Sequence, residues 1–160
     1  MNEIGSSCEI GGAQGKMSQG SRVLRFQPGF HWEGVPVADY KQAAEHWCGV
    51  RRTVLVGETG ENTAFHLRYF EIGPGGFSSL EEHTHEHVVV VMRGRGLVRL
   101  GQNEYEVSFG DTIYVAPGEV HQLRCSTTDE PFGFLCVVDA QRDRPILRTD
   151  LCDSVARHFP

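Results

Sequence analysis

An all-β barrel or sandwich is the fold class that the sequence predicts, on three observations. From Arg51 onward, short apolar runs alternate with Gly, Pro and Asn turns at regular spacing. Glycine supplies 19 of the 160 residues, above its usual share of about 7%, as a chain of many turns requires. Helical signals are confined to short segments outside these runs, which disfavours alternating βαβ units.

Residues 1–21 are Gly-, Ser- and Gln-rich without apolar periodicity, and read as a flexible tail. Residues 22–62 form an N-terminal arm. Within it Asp39 is a candidate N-cap for a short helix over Tyr40–Cys48, with Gln42 three residues on and Gly49 beyond the end. Tyr40, Ala43, Ala44 and Trp47 fall on one face of that helix, suited to packing on the main body. The barrel is expected over residues 63–140. The strand-like runs are RRTVLVG just ahead of it, then AFHLRYFEIGPGG, HEHVVVVMRGRG, LVRLGQNEYEV, FGDTIYVAPGEV, HQLRC and FGFLCVVD. Val88 to Met92 is apolar at every position, so both faces of that strand should be covered: one by the interior, the other by a second sheet or a second subunit. Residues 141–160 lose the alternation and close with a short helical turn.

The formal charge of −6 and the absence of a Lys/Arg cluster argue against a nucleic-acid surface. No apolar run approaches the roughly 20 residues of a membrane span, and the N-terminus lacks the features of a signal peptide. A soluble, cytoplasmic protein is expected. Five cysteines without a C-x-x-C pair indicate neither a disulfide framework nor a zinc ribbon. H-E-x-x-H, Walker A and G-x-S-x-G sequences are absent, and Gly94-x-Gly96 has Arg99 where a dinucleotide fingerprint needs glycine.

Of the 8 histidines, His83, His85 and His87 lie within Glu81-Glu82-His83-Thr84-His85-Glu86-His87. If that segment is a strand, residues two apart share a face, and Glu81, His83, His85 and His87 converge. Imidazole with carboxylate suits a divalent first-row metal, and no cysteine lies in the cluster to favour a thiolate site. The bland alternative is a solvated, His-rich loop. A second turn, Gly110-Asp-Thr-Ile-Tyr-Val-Ala-Pro-Gly118-Glu-Val-His121, ends in a further histidine.

These segments resemble the two motifs of the cupin superfamily, G-x5-H-x-H-x(3,4)-E-x6-G and G-x5-P-x-G-x2-H-x3-N. The second matches at Gly110, Gly118 and His121, with its proline moved to Pro117 beside Ala116, and Cys125 at the asparagine position. In the first, taking His83 and His85 as the H-x-H pair puts Val89 at the glutamate position and loses a ligand. Taking Gly94 as the motif glycine gives Glu81-x-His83-x3-His87-x6-Gly94, an arrangement similar to that of ureidoglycine aminohydrolase-type cupins.

The resemblance implies a double-stranded β-helix, the small jelly-roll barrel, with a metal held by Glu81, His83, His87 and His121. His85 stands as an alternative ligand or as a neighbour of the ligands. One carboxylate and three neutral imidazoles around a divalent ion carry a charge of about +1 and leave octahedral positions open for water or substrate. Mn or Fe is favoured, with Zn, Ni, Co and Cu as other occupants.

On the strand Ala64–Ile72, His66, Arg68, Phe70 and Ile72 share a face. Turned inward, it places Arg68 to pair with a substrate carboxylate and His66 as an acid/base candidate; turned outward, both are surface residues. Cys125 follows His121 on one face, as a wall group or a small buried thiol. Arg93, Arg95 and Arg99 read as solvated turn and strand charges, or as partners of acidic groups across a dimer interface. The functional expectation is a metal-dependent enzyme acting on a small polar or carboxylate-bearing molecule, of dioxygenase, isomerase, decarboxylase or hydrolase type. The alternative is a non-catalytic module that binds or senses a small ligand. A homodimer is expected from the Val88–Met92 strand and the N-terminal segment.

Overall fold

A computed structural model describes residues 20–40 and 46–154. The N-terminal arm forms a small hairpin of β1 (Phe26–Gln27) and β2 (His31–Trp32), followed by β3 (Val37–Asp39). The barrel strands are β4 (Cys48–Val56), β5 (Phe65–Phe77), β6 (Glu81–Glu82), β7 (His87–Arg93), β8 (Arg95–Leu100), β9 (Asn103–Ser108), β10 (Thr112–Val115), β11 (His121–Cys125) and β12 (Phe132–Asp139). A short β13 (Ile146–Leu147) and a 3-10 turn over Thr149–Ser154 end the described chain. No α-helix occurs among the described residues, and no helix of the described chain is long and apolar enough to cross a membrane.

All pairings are antiparallel. The principal path runs β10-β7-β12-β5-β11-β6-β13, with β4 added to β5, β3 to β4, β8 to β11 and β9 to β8. Strands distant in sequence are thereby neighbours, and the sheet curls around one interior. Through β4 the sheet extends ahead of residue 63. In the helix expected over Tyr40–Cys48, residues 41–45 lie outside the described residues; at its two ends Asp39 closes β3 and Cys48 opens β4. The proposed tail 1–21 falls outside them except for its last two residues.

Alternation explains the interior. Along β7, His87, Val89 and Val91 are buried while Val88, Val90 and Met92 are only half-buried. Phe70, Ile72, Leu123, Phe132 and Phe134 join the inner set, and burial of such side chains contributes about 1.5–3 kcal/mol each. Outside β5, a second cluster joins Trp32, Leu55 and Tyr69, with Phe30, Met92 and Leu135 packed against it. The Trp32 and Tyr69 ring centroids are 5.2 Å apart. Part of the second face of β7 is therefore covered by the chain's own N-terminal arm, while Val88 lies beside the exposed Tyr114 and Val137.

The turn between β7 and β8 depends on Gly94, which has φ of 65° and whose absent Cβ would lie 2.3 Å from the Pro131 carbonyl oxygen. Two of the arginines expected to be solvated are not. Arg99 is buried with its Nε donating to the Gly101 carbonyl at 2.9 Å, and Arg93 donates to the buried Glu71 at 2.9 Å beneath the Phe30 ring. Arg99 finds its acceptor in the turn after β8, and Arg93 finds Glu71 on the face of β5 shared with Tyr69, neither of which a charged letter in the sequence reveals.

Candidate metal centre

His83, His87 and His121 are buried, and one nitrogen from each lies within 4.8 Å of the others. His87 opens β7, His121 opens β11, and His83 follows β6, so three separate segments deliver them to one end of the interior. The segment Glu81–His87 is not the continuous strand that alternation suggested. It leaves β6 after Glu82 and bends through 83–86 before β7 begins. Two long-range anchors hold the bend. The Gly118 amide donates to the His83 carbonyl at 2.7 Å, and the Asp143 carboxylate accepts from the amides of Thr84 at 2.9 Å and His85 at 3.3 Å. Gly118 takes φ of 74°, a left-handed conformation that suits glycine in this turn and links the two motif loops.

Hydrogen bonding fixes which nitrogen two of the rings present. The Nδ1 of His83 lies 2.7 Å from the His85 carbonyl, and that of His121 lies 2.8 Å from the Glu119 carbonyl. A carbonyl only accepts, so both Nδ1 atoms carry the proton and both Nε2 atoms present lone pairs. The Nε2 of His87 is 3.3 Å from that of His121, while its Nδ1 faces the Cys136 sulfur at 3.4 Å. Burial holds all three imidazoles below the ordinary histidine pKa, His87 down to about 2, with the neighbouring rings adding to the effect on His83 and His87. Three neutral imidazoles with converging ring nitrogens are the donor set of a divalent transition-metal site, and the residues present fit such an ion.

Glu81 is the cross-strand partner of His121 and lines the same cavity, where Ser79 Oγ donates to its carboxylate. Its oxygens stand outside the three-nitrogen cluster. His85 stacks on His83 with centroids 3.7 Å apart, and its Nδ1 is engaged by Asp143 at 2.5 Å. The nearby acid thus ties His85 to the loop while His87 enters the cluster.

The cavity has a volume of about 150 Å³, room on the order of ten waters or a small molecule. Arg68 lines it from the inner face of β5, beside Phe70 and Ile72. His66 does not line it; its Nδ1 accepts from Arg142 at 3.1 Å and lies near Glu58. Cys125 is directed elsewhere, toward the Glu130 carbonyl at 3.3 Å. The thiol at the site is Cys136, which faces Arg68 across the β5–β12 pair, accepts from its Nη2 at 3.2 Å and is held protonated by burial. Sequence reading also missed Tyr40, Arg52, Arg142 and Asp143, all in the cavity wall. For Arg142 and Asp143 the one signal was the charged run RDRP shortly after β12.

Comparison with known proteins agrees with this architecture. The family model described as a cupin domain matches residues 68–138. A 1-methylthio-D-xylulose 5-phosphate methylsulfurylase from Rhodospirillum rubrum is 41% identical over 129 residues, covering 78% of this chain and 79% of that protein. An (S)-ureidoglycine aminohydrolase from Arabidopsis thaliana is 37% identical over 54 residues, but those span 33% of this chain and 18% of the plant protein. The crystal structure of a cupin 2 conserved barrel domain protein from Rhodopseudomonas palustris superposes with a TM-score of 0.72 at 42% identity, covering 80% of this chain and 87% of that one. With the curled antiparallel sheet and the two linked motif loops, these matches establish that the chain belongs to the cupin family.

Proposed function

We propose that this protein is a metal-dependent enzyme that acts on a small phosphorylated methylthio-ketose, the class of molecule named for the Rhodospirillum rubrum relative. The observation that carries the reading is the convergence of three neutral imidazoles in the wall of a substrate-sized cavity. In this reading His83, His87 and His121 hold the ion through Nε2, and Glu81 completes the set. Mn or Fe suits a mixed imidazole and carboxylate site, with Zn, Ni, Co and Cu as other fits, and such an ion supplies a Lewis acid for a substrate oxygen.

The chain's own residues provide the rest. The Glu119 and His85 carbonyls keep the protons of His121 and His83 on Nδ1, and Asp143 keeps the 83–86 bend closed. Cys136 is the one thiol lining the cavity among the described residues, and it lies between His87 and Arg68. The unpaired thiols Cys48, Cys125 and Cys136 fit a reducing, cytoplasmic compartment. A homodimer formed over the exposed end of the outer face, around Val88, Tyr114 and Val137, belongs to the same reading.

The test is metal analysis of protein purified without chelator, combined with phosphorus NMR of a 1-methylthio-ketose 5-phosphate incubated with the loaded protein. Stoichiometric metal and conversion of the substrate, both lost in His121→Ala, are expected. Protein without stoichiometric metal rejects the metal reading; loaded protein that leaves the compound unchanged rejects the substrate.

A further inference from the structure

Beside the histidines, three guanidinium groups converge on the same cavity from different parts of the chain: Arg52 on β4, Arg68 on β5 and Arg142 just after β12. Arg68 is 8% exposed and lies 5.1 Å from the centroid of the Phe70 ring. Among the described residues it has no carboxylate partner. Its Nη2 donates to the neutral Cys136 thiol at 3.2 Å, and its Nε is buried without an acceptor. A buried guanidinium lacking a counter-ion carries a desolvation cost that a bound anion would offset.

The other two arginines are little better compensated. Arg142 donates from Nη1 to His66 Nδ1 at 3.1 Å and to the Asp139 carbonyl at 3.3 Å, both uncharged acceptors. Glu58 reaches Arg142 and Arg52 only at 3.9 Å each, the outer limit of an ion pair. Arg52 otherwise rests over Tyr40, 5.4 Å from its centroid. Counting only these arginines and Glu58, the charge at this end is about +2, close to the −1.5 to −2 of a phosphate monoester at neutral pH, while the Glu81 and Asp143 carboxylates stand at the histidine end, beside His121 and His85. Burial, followed by the charges of Arg68 and Arg52, lowers the proton affinity of Arg142, so the three groups lie within one another's field. The carboxylates of Glu81 and Asp143 also line the cavity, but they are engaged by Ser79 and by the 83–86 bend.

We propose that Arg52, Arg68 and Arg142 form a subsite for the phosphate monoester of the substrate, with the histidine cluster taking the reacting end. His66 is a positioning residue in this arrangement, its neutral Nδ1 holding the Arg142 guanidinium against the cavity. The identity of the whole substrate rests on the function proposed above; anion binding by the three arginines does not. A carboxylate offers two oxygens and a single charge, whereas a phosphate offers three terminal oxygens and about two charges, and so matches this donor set better.

Calorimetric titration of inorganic phosphate, and separately of malonate, into the metal-loaded protein and its variants tests the proposal. Wild-type protein should bind phosphate more tightly than malonate. Arg68→Met, Arg142→Gln and Arg52→Gln should each weaken phosphate binding about tenfold or more, as expected for a charged contact, with unchanged metal content. If Arg68→Met does not fold, the half-buried Arg142 and Arg52 variants carry the comparison. Phosphate binding should persist after chelation. Tighter malonate binding, unchanged affinity in the variants, or binding that disappears with the metal alone would each overturn the subsite. Arginine-dependent phosphate binding without turnover of the methylthio-ketose phosphate keeps the subsite and rejects that substrate. Turnover with unaltered KM in all three variants keeps the function and rejects the subsite.

Discussion

Acidification of the metal-free protein should erode its stability through the same three imidazoles that converge on the site. An unfolded histidine titrates near 6.5, whereas burial lowers folded His87 to about 2 and also lowers His83 and His121. Because the folded pKa values lie below the unfolded ones, the unfolded chain binds more protons as the pH falls. The stabilising effect is thus complete above the unfolded pKa and is lost on descending toward the folded pKa. For His87 alone, the difference between about pH 7.5 and about pH 5.5 integrates to about 1.4 kcal/mol. His83 and His121, lowered in the same direction by burial, add to the loss, so acidification removes a sizeable part of a typical domain's 5–15 kcal/mol.

Urea denaturation of chelator-treated protein across this pH range measures the effect. His87→Gln, which cannot titrate there, should show a pH dependence shallower by about 1.4 kcal/mol over the interval, whatever its absolute stability. Equal pH dependence in the two proteins would mean that His87 is protonated as readily when folded as when unfolded, and the proposed neutral cluster would be wrong.

Three other expectations follow from particular contacts. His87→Ala should weaken metal binding by about 100-fold or more and His85→Ala by less than about tenfold, measured by competition with a chromophoric chelator; equal losses would make His85 a ligand. Gly94→Ala forces a side chain into a left-handed backbone and against the Pro131 carbonyl, so it should cost about 2–5 kcal/mol in chemical denaturation; a cost within about 0.5 kcal/mol would contradict the turn geometry. Light scattering at micromolar concentration should report a dimer that Val137→Lys dissociates, and a monomeric wild type would remove the proposed role of the Val88 and Val137 face.

Period-two patterning made the barrel strands legible, and it sorted β5 correctly: Arg68, Phe70 and Ile72 face inward while Leu67 and Tyr69 pack toward the N-terminal arm. Motif spacing singled out Glu81, His83, His87 and His121, of which the structure brings the three histidines together and leaves the Glu81 oxygens outside the cluster. The convergence itself was attributed to strand alternation, whereas a bend produces it, held by Gly118 and Asp143. Those anchors lie 35 and 60 residues beyond His83 along the chain. Local periodicity contains no record of them. The thiol shows the same limit: Cys125 shares strand parity with His121, but only the pairing of β12 with β5 sets Cys136 opposite Arg68. Sequence patterning misplaces Arg93 because its partner Glu71 lies in another strand, and Arg99 because β8 runs between β9 and β11.

The residues of the cavity come from two kinds of chain. His83, His87, His121, Glu81 and Cys136 lie within the matched cupin segment, 68–138, whereas Tyr40, Arg52, Arg142 and Asp143 come from the flanks. The proposed ion ligands all lie in the matched segment, whereas the proposed anion subsite joins Arg68 of that segment to Arg52 and Arg142 of the flanks. Exchanging the flanks while retaining Asp143 would change Tyr40, Arg52 and Arg142 around the cavity without altering His83, His87 or His121, whereas trimming the chain to residues 68–138 would remove the Asp143 anchor of the 83–86 bend.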